Sequence, residues 1–246
     1  MRLLHEKKLH ADSCFVTLTY DNEHLPPGGT LVMRDLQLFM KRLRFDRGPG
    51  VRFYACGEYG DRNARPHYHA LLFNCSFPDR KLFSKNGRGD SYYVSDELRR
   101  FWPLGHNVIG DVTWDSAAYV ARYVVKKITG KPAVDHYAVL DGDGVVYDRL
   151  PEFTVMSRRP GIATGYYDKF GAEIRAHDSV IINGMAVPPP RFYDAKYELS
   201  NPVAFARVKR KRKRKAVLLK ADNTSVRLRV KEVIALRRLK DKERKV

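Results

Sequence analysis

The chain has 246 residues, 43% of them apolar and 30% charged, enough for one sizeable core or a core with an appendage. No apolar run approaches the ~18 residues of a membrane helix. The start, Met1-Arg2-Leu3-Leu4-His5-Glu6-Lys7-Lys8, is too polar for a signal peptide, so membrane and secreted classes are set aside.

Charge is unevenly placed. Of the formal net +18, residues 204–246 hold 18 Lys and Arg against 4 Asp and Glu, a net +14, which leaves +4 for the first 203 residues. Polyanions are the expected partners of the basic end. The three cysteines, Cys14, Cys56 and Cys75, make neither a zinc spacing nor a disulfide framework, which suits a reducing cytoplasm.

In chain order, residues 1–10 read as a short amphipathic helix. Cys14 to Tyr20 alternates and is rich in β-branched and aromatic residues, the pattern of a strand, and Asp21 to Gly29 is loop chemistry. Leu36, Phe39, Met40 and Leu43 follow i, i+3, i+4, i+7 spacing and predict a helix over roughly 34–45. Strands are predicted at 51–58 and 67–74, and the short link between them favours an antiparallel pair with Glu58 and His67 at the same end. Residues 74–94 read as a polar surface loop with a short strand at Tyr92-Tyr93-Val94. Ser95 caps a helix through Trp102, and His106 to Thr113 reads as a strand.

The next helix, Ala117 to Ile128, is capped by Asp115 or Ser116 and stopped by Gly130 and Pro132. Residues 133–175 read as short strands and turns, and Pro188-Pro189-Pro190 as a break. Lys209 to Lys215 is an unbroken run of seven basic residues, and Val226 to Val246 reads as a basic helix.

Two features carry chemistry. His67 and His69 flank one residue, so the strand period of two points both imidazoles to one face. Alone, that equally describes a strand with two partly exposed histidines. Tyr119 and Tyr123 are i, i+4 neighbours, and Lys126 lies seven residues after Tyr119, about 20° from its azimuth, so all three share a helix face. Alone, that equally describes tyrosines covering a core with a lysine reaching to solvent.

Together they suggest more. Two imidazoles and the Glu58 carboxylate could hold a hard divalent ion with positions open to phosphate oxygens. A phenol with an ordinary pKa of ~10 needs cations to become a nucleophile, and Lys126 and such an ion would supply them. Attack on a phosphodiester gives a phosphotyrosyl ester, and a second tyrosine one turn away permits a second transesterification.

Three stretches, in this order, resemble the three motifs of the HUH endonucleases of rolling-circle replication: Phe15-Val16-Thr17-Leu18-Thr19-Tyr20, Gly57-Glu58 with His67-Tyr68-His69, and Tyr119-x-x-x-Tyr123-x-x-Lys126. Gly110-Asp111-Val112-Thr113-Trp114, the run Ser116 to Val124, and Met156-Ser157-Arg158-Arg159-Pro160-Gly161-Ile162 bring the resemblance closest to the replication initiators of the Microviridae, the gokushovirus branch above all. It covers roughly residues 5–175.

The resemblance implies an α+β domain, a central antiparallel sheet flanked by helices in the RRM/ferredoxin-like manner. The division expected is an endonuclease domain at 1–175, a connecting region at 176–203 and a basic DNA-binding tail at 204–246. It implies Mg²⁺ or Mn²⁺ at His67 and His69, with Glu58 the best third ligand and Asp61 a lesser substitute. It also implies nicking of viral-strand origin DNA in the host bacterial cytoplasm, by Tyr119 or Tyr123, followed by rejoining of the displaced strand. A host polymerase would extend the 3′-OH. The chain carries no Gly-x-x-x-x-Gly-Lys-Ser/Thr, so a host helicase would open the duplex.

Arg62 and Arg65, beside the site, are candidates for phosphate contacts, as are Lys209, Arg210, Lys211, Arg212, Lys213, Arg214 and Lys215. His24 and His106 read as ordinary surface histidines. The competing readings are a non-catalytic nucleic-acid-binding module, and a plasmid initiator, relaxase or transposase of the same superfamily.

Overall fold

The computed structural model describes residues 1–60, 63–87, 89–140 and 142–243; the side chains of residues 123–126 and 239–243 lie outside the description. The chain forms two compact units, one of Arg2–Lys85 with Asp90–Tyr166, the other mainly of Tyr167–Val246.

The first unit runs α1 (Arg2–Lys7), β1 (Ser13–Tyr20), α2 (Met33–Arg47), β2 (Arg52–Tyr59), β3 (Pro66–Phe73), β4 (Lys81–Lys85), β5 (Ser91–Val94) and α3 (Asp96–Phe101). It continues with β6 (Gly105–Gly110), α4 (Trp114–Lys126), α5 (Pro132–Tyr137), β7 (Ala138–Leu140), β8 (Val146–Asp148), β9 (Phe153–Met156) and the start of α6 (Thr164–His177). Among the described residues seven strands join in one sheet, in the order β4-β5-β6-β1-β3-β2-β9, with every neighbouring pair antiparallel. The strands β7 and β8 form a separate hairpin. This is the α+β architecture expected, with the sheet flanked by helices.

Strand alternation sorts the sheet into two faces. Val16, Leu18 and Tyr20 of β1, with Tyr68, Ala70 and Leu72 of β3, point into a core completed by Leu36, Phe39, Met40 and Leu43 of α2 and by Leu98 and Trp102 at α3. The Tyr20 hydroxyl donates to Asp35 Oδ2 at 2.6 Å and lies 2.8 Å from the Tyr68 hydroxyl, which donates to the Val32 carbonyl at 3.0 Å. Burial, then the bond to Asp35, raises the Tyr20 phenol far above its ordinary value, and burial pushes Tyr68 up to about 12. These two tyrosines are protonated structural donors. Residues 15, 17 and 19 of β1, 67 and 69 of β3, and 56 and 58 of β2 take the opposite face.

Where the structure departs from the pattern reading, local chemistry explains it. The sequence reading begins α4 at Ala117, yet the helix starts at Trp114. Thr113 is its cap: the Thr113 hydroxyl accepts from Ser116 N at 3.1 Å, and Ser116 Oγ accepts from Thr113 N at 2.8 Å. Ser116 is therefore the third helical residue of a capping box, not the cap. Within the stretch expected as loop, β4 forms an edge strand. All five of its residues are exposed, so no alternation marks it. Residues 133–175 contain α5 and α6 as well as short strands. In α6 only Tyr167, Gly171 and Ile174 are buried, and Gly165 and Gly171, each worth about 1 kcal/mol against a helix, blur its period.

Beside α1, the buried Glu6 carboxylate accepts from the Arg52 guanidinium and the Ala163 amide. His5, also fully buried, stacks on Tyr166 at 4.1 Å with rings 7° from parallel. Burial, with the Lys8 charge beside it, lowers the His5 pKa from 6.5 to about 4. Unfolded chains therefore take up a proton at His5 before folded ones do. The stability contributed is complete above pH 6.5 and is lost as the pH falls towards 4, by about 2–3 kcal/mol. His5→Phe keeps the stacked ring and removes the titration. Urea midpoints of the two proteins, measured above pH 6.5 and near pH 4, should show a shallower fall in the variant.

The second unit continues α6 into the hairpin of β10 (Val180–Ile182) and β11 (Met185–Val187), then α7 (Arg191–Ser200), α8 (Pro202–Leu218) and α9 (Ser225–Glu243). Tyr193 of α7 and Phe205 of α8 are buried, and Phe205 meets Tyr197 edge-on at 5.6 Å. None of the three buried cysteines of the chain forms a disulfide. Among the described residues no helix is long and apolar enough to cross a membrane.

Candidate active site on the β1–β3–β2 face

The hairpin of β2 and β3 sets Glu58 opposite His67 and Cys56 opposite His69. Directly opposed residues of an antiparallel pair share a face, so Glu58, His67 and His69 converge, as the spacing predicts. The side chains pair diagonally. Glu58 Oε1 lies 2.7 Å from His69 Nε2, with both residues buried. The ring centroids of His67 and His69 are 6.4 Å apart. On the other flank β1 places Thr17 opposite His69 and Thr19 opposite His67. Thr17 Oγ1 lies 2.9 Å from His69 Nδ1, and Thr19 Oγ1 lies 3.3 Å from His67 Nδ1.

Burial, then the neighbouring His69, lowers the His67 pKa, so the imidazole stays neutral and keeps a lone pair. Gly60 makes room for that ring: a Cβ there would stand 2.7 Å from His67 Nε2. Among the described residues no three His, Cys, Asp or Glu side chains are already drawn together as a metal cage. The donor set nevertheless suits a divalent ion. Both Nδ1 atoms are occupied by threonines, which leaves the two Nε2 atoms for coordination, and Glu58 supplies a carboxylate on the same face.

The helix α4 brings a tyrosine to this group. The Tyr119 ring meets His69 edge-on at 5.3 Å and Phe15 at 6.5 Å, while Phe15 stacks on His69 at 5.6 Å. Tyr123 follows one turn along α4 and Lys126 ends the helix; their side chains lie outside the described residues, as do Asp61 and Arg62. Arg65 is at the rim, donating to the Tyr20 carbonyl at 3.1 Å and to Asn22 Oδ1 at 2.9 Å. His24 pairs with Asp21 at 2.8 Å in an exposed loop and His106 is exposed, both ordinary surface positions.

The basic run lies on α8. Arg210, Lys211, Lys213, Arg214 and Lys215 are exposed, and Lys209 reaches Glu198 at 2.6 Å. Arg212 turns inward. It bonds Asp178 at 2.6 Å and Asp194 at 2.7 Å, and those two carboxylates raise its pKa further above its ordinary value. Its guanidinium ties α8 to α7 and to the end of α6, so phosphate contacts fall to the other six residues.

Sequence reasoning gave no role to Thr17, Thr19, Phe15 or Gly60. Alternate threonines on a strand beside a His-x-His strand are the signal that could have found the first two.

Residues 13–128 match the family model of the replication-associated protein ORF2 type, and the chain belongs to the phage replication-associated proteins. It is 34% identical over 211 residues to replication-associated protein VP4 of Bdellovibrio phage phiMH2K, covering 82% of this chain and 63% of that protein. It is 33% identical over 196 residues to replication-associated protein ORF2 of Spiroplasma virus 4, covering 75% of this chain and 57% of that one. Replication-associated protein ORF4 of Chlamydia phage 1 is 33% identical over 131 residues, half of this chain and 32% of that protein. The chain thus spans less than two thirds of these relatives. No solved structure matches it.

Proposed function

We propose that this chain initiates replication by nicking one strand of origin DNA through a phosphotyrosine intermediate. The observation that carries the reading is the Tyr119 ring set 5.3 Å from His69, which is itself bonded to Glu58. The relatives' names, replication-associated proteins of phages, support the biological setting. Tyr119 Oη attacks the scissile phosphorus, its proton passing to water, and the bond from phosphorus to the 3′ oxygen breaks. The 5′ phosphate stays on the enzyme as a tyrosyl ester, and the 3′ oxygen takes up a proton to become a primer end.

The first cut is assigned to Tyr119 because its ring lies against His69. Tyr123, one turn further along α4, makes the second cut, and reversal of the ester bond rejoins the displaced strand. Lys126 shares their helix face by spacing and favours the phenolate. His67, His69 and Glu58 would hold Mg²⁺ or Mn²⁺, which supplies Lewis-acid polarisation of the phosphate and charge stabilisation of the leaving oxygen. Origin DNA is the substrate, a host helicase and polymerase the partners, and the host cytoplasm the setting.

The test uses labelled single-stranded DNA spanning a candidate origin. A denaturant-resistant protein–DNA adduct should form with Mn²⁺ and disappear with a chelator or in His69→Ala. Non-covalent binding without any adduct would point to the binding-module reading.

The exposed cations of α8 should add affinity without chemistry. Replacing Lys211, Lys213 and Arg214 together by Ala should lower the slope of log K against log salt by about 2, at about 0.7 per lost contact on single strands. Fluorescence anisotropy across a salt series measures this, and the cleavage rate at saturating DNA should be unchanged.

A further inference from the structure

The alternating threonines of β1 have no part in the chemistry above, yet both hydroxyls meet the histidine rings. Thr17 and Thr19 stand directly opposite His69 and His67 in the strand register, and each hydroxyl faces the Nδ1 of its partner, at 2.9 Å and 3.3 Å. The second torsion of a histidine is broad, so a backbone position alone does not fix the ring plane. A ring that must present Nε2 to an ion needs its other nitrogen held.

We propose that Thr17 and Thr19 are positioning residues, whose hydroxyls fix the His69 and His67 ring planes so that both Nε2 atoms face the metal. This rests on the metal reading of the site. A hydroxyl suits the task because it can donate or accept. An ionised carboxylate only accepts, so the 2.7 Å contact to Glu58 Oε1 needs the proton on His69 Nε2. Nδ1 then accepts from the Thr17 hydroxyl. When Nε2 offers its lone pair to an ion, it gives its proton to solvent and Nδ1 takes one from solvent, leaving the ring charge unchanged. The Thr17 hydroxyl then turns to accept from Nδ1, and the ring keeps its plane. A methyl group serves neither state. Phe15, stacked on His69 at 5.6 Å, limits the same ring from its face.

The test compares wild type with Thr17→Val, Thr19→Val and Thr17→Ser in the full chain. Valine keeps the β-branched shape that a strand favours, and serine restores the hydroxyl. In metal-free protein, above the ordinary imidazole range of ~6.5, the ¹⁵N resonance of His69 Nδ1 reports its hydrogen bond. It should move towards the non-bonded value in Thr17→Val and return in Thr17→Ser.

A calorimetric titration with Mn²⁺ should show affinity about 10–100-fold weaker in Thr17→Val, less weakened in Thr19→Val with its longer contact, and near wild type in Thr17→Ser. An unchanged Nδ1 resonance, or a changed one with unchanged Mn²⁺ affinity, overturns the proposal. If the wild type itself binds neither Mn²⁺ nor Mg²⁺, the metal reading fails instead, and the metal-free spectrum still judges the threonine–histidine bonds alone.

Discussion

Tyr119→Phe is expected to lower the first strand cleavage by about 10³-fold or more, because it removes the attacking oxygen and nothing else. The phenylalanine ring can keep the edge contact to His69 at 5.3 Å and the contact to Phe15 at 6.5 Å. Folded stability should therefore stay within about 0.5 kcal/mol of wild type. Single-turnover cleavage of labelled single-stranded DNA, run beside a urea melt, separates loss of the nucleophile from loss of the fold. Tyr123→Phe should spare the first cut and block the second, so adducts accumulate. The double variant should form none. If Tyr119→Phe cleaves at the wild-type rate while Tyr123→Phe does not, the order assigned to the two tyrosines is reversed.

Glu58→Gln is expected to weaken Mn²⁺ binding by more than the about 10–100-fold of an outer-shell change, since it removes the negative donor itself. The substitution is nearly isosteric. Its amide can still bond His69, which matters because Glu58 is only 3% exposed and a buried unsatisfied imidazole would add a stability cost of about 1–3 kcal/mol. Calorimetry without DNA gives the metal affinity directly. Cleavage at saturating Mn²⁺ then reports what Glu58 does beyond binding. Undiminished affinity in Glu58→Gln would remove Glu58 from the ligand set.

Much of this site was legible in the sequence because strand period and hairpin length suffice to place it. His67 and His69 had to share a face, and a short link had to put Glu58 near them. The register, Glu58 opposite His67, bears this out. Less was legible where a residue acts through another strand. Thr17 and Thr19 reach the histidines only because β1 pairs with β3, a contact between residues about fifty positions apart that no local pattern records.

The fold shows the same division. Helix α2, with its four buried apolar residues in one stripe, was readable. The glycine-bearing α6 and the fully exposed β4 were not, because neither buries enough on one side to print a period. Composition rightly marked the basic run but could not tell Arg212 from its neighbours. What distinguishes it is a pair of carboxylates, Asp178 and Asp194, brought to it by the chain's folding.

The most direct measurement is to trap the protein on origin-spanning single-stranded DNA with Mn²⁺, digest protein and DNA, and locate the modified residue by mass spectrometry. The expected product is the α4 peptide carrying a nucleotide phosphate ester on Tyr119 after a single turnover. A chain that binds this DNA yet carries no phosphotyrosine, or carries it on a tyrosine outside α4, would contradict the assignment.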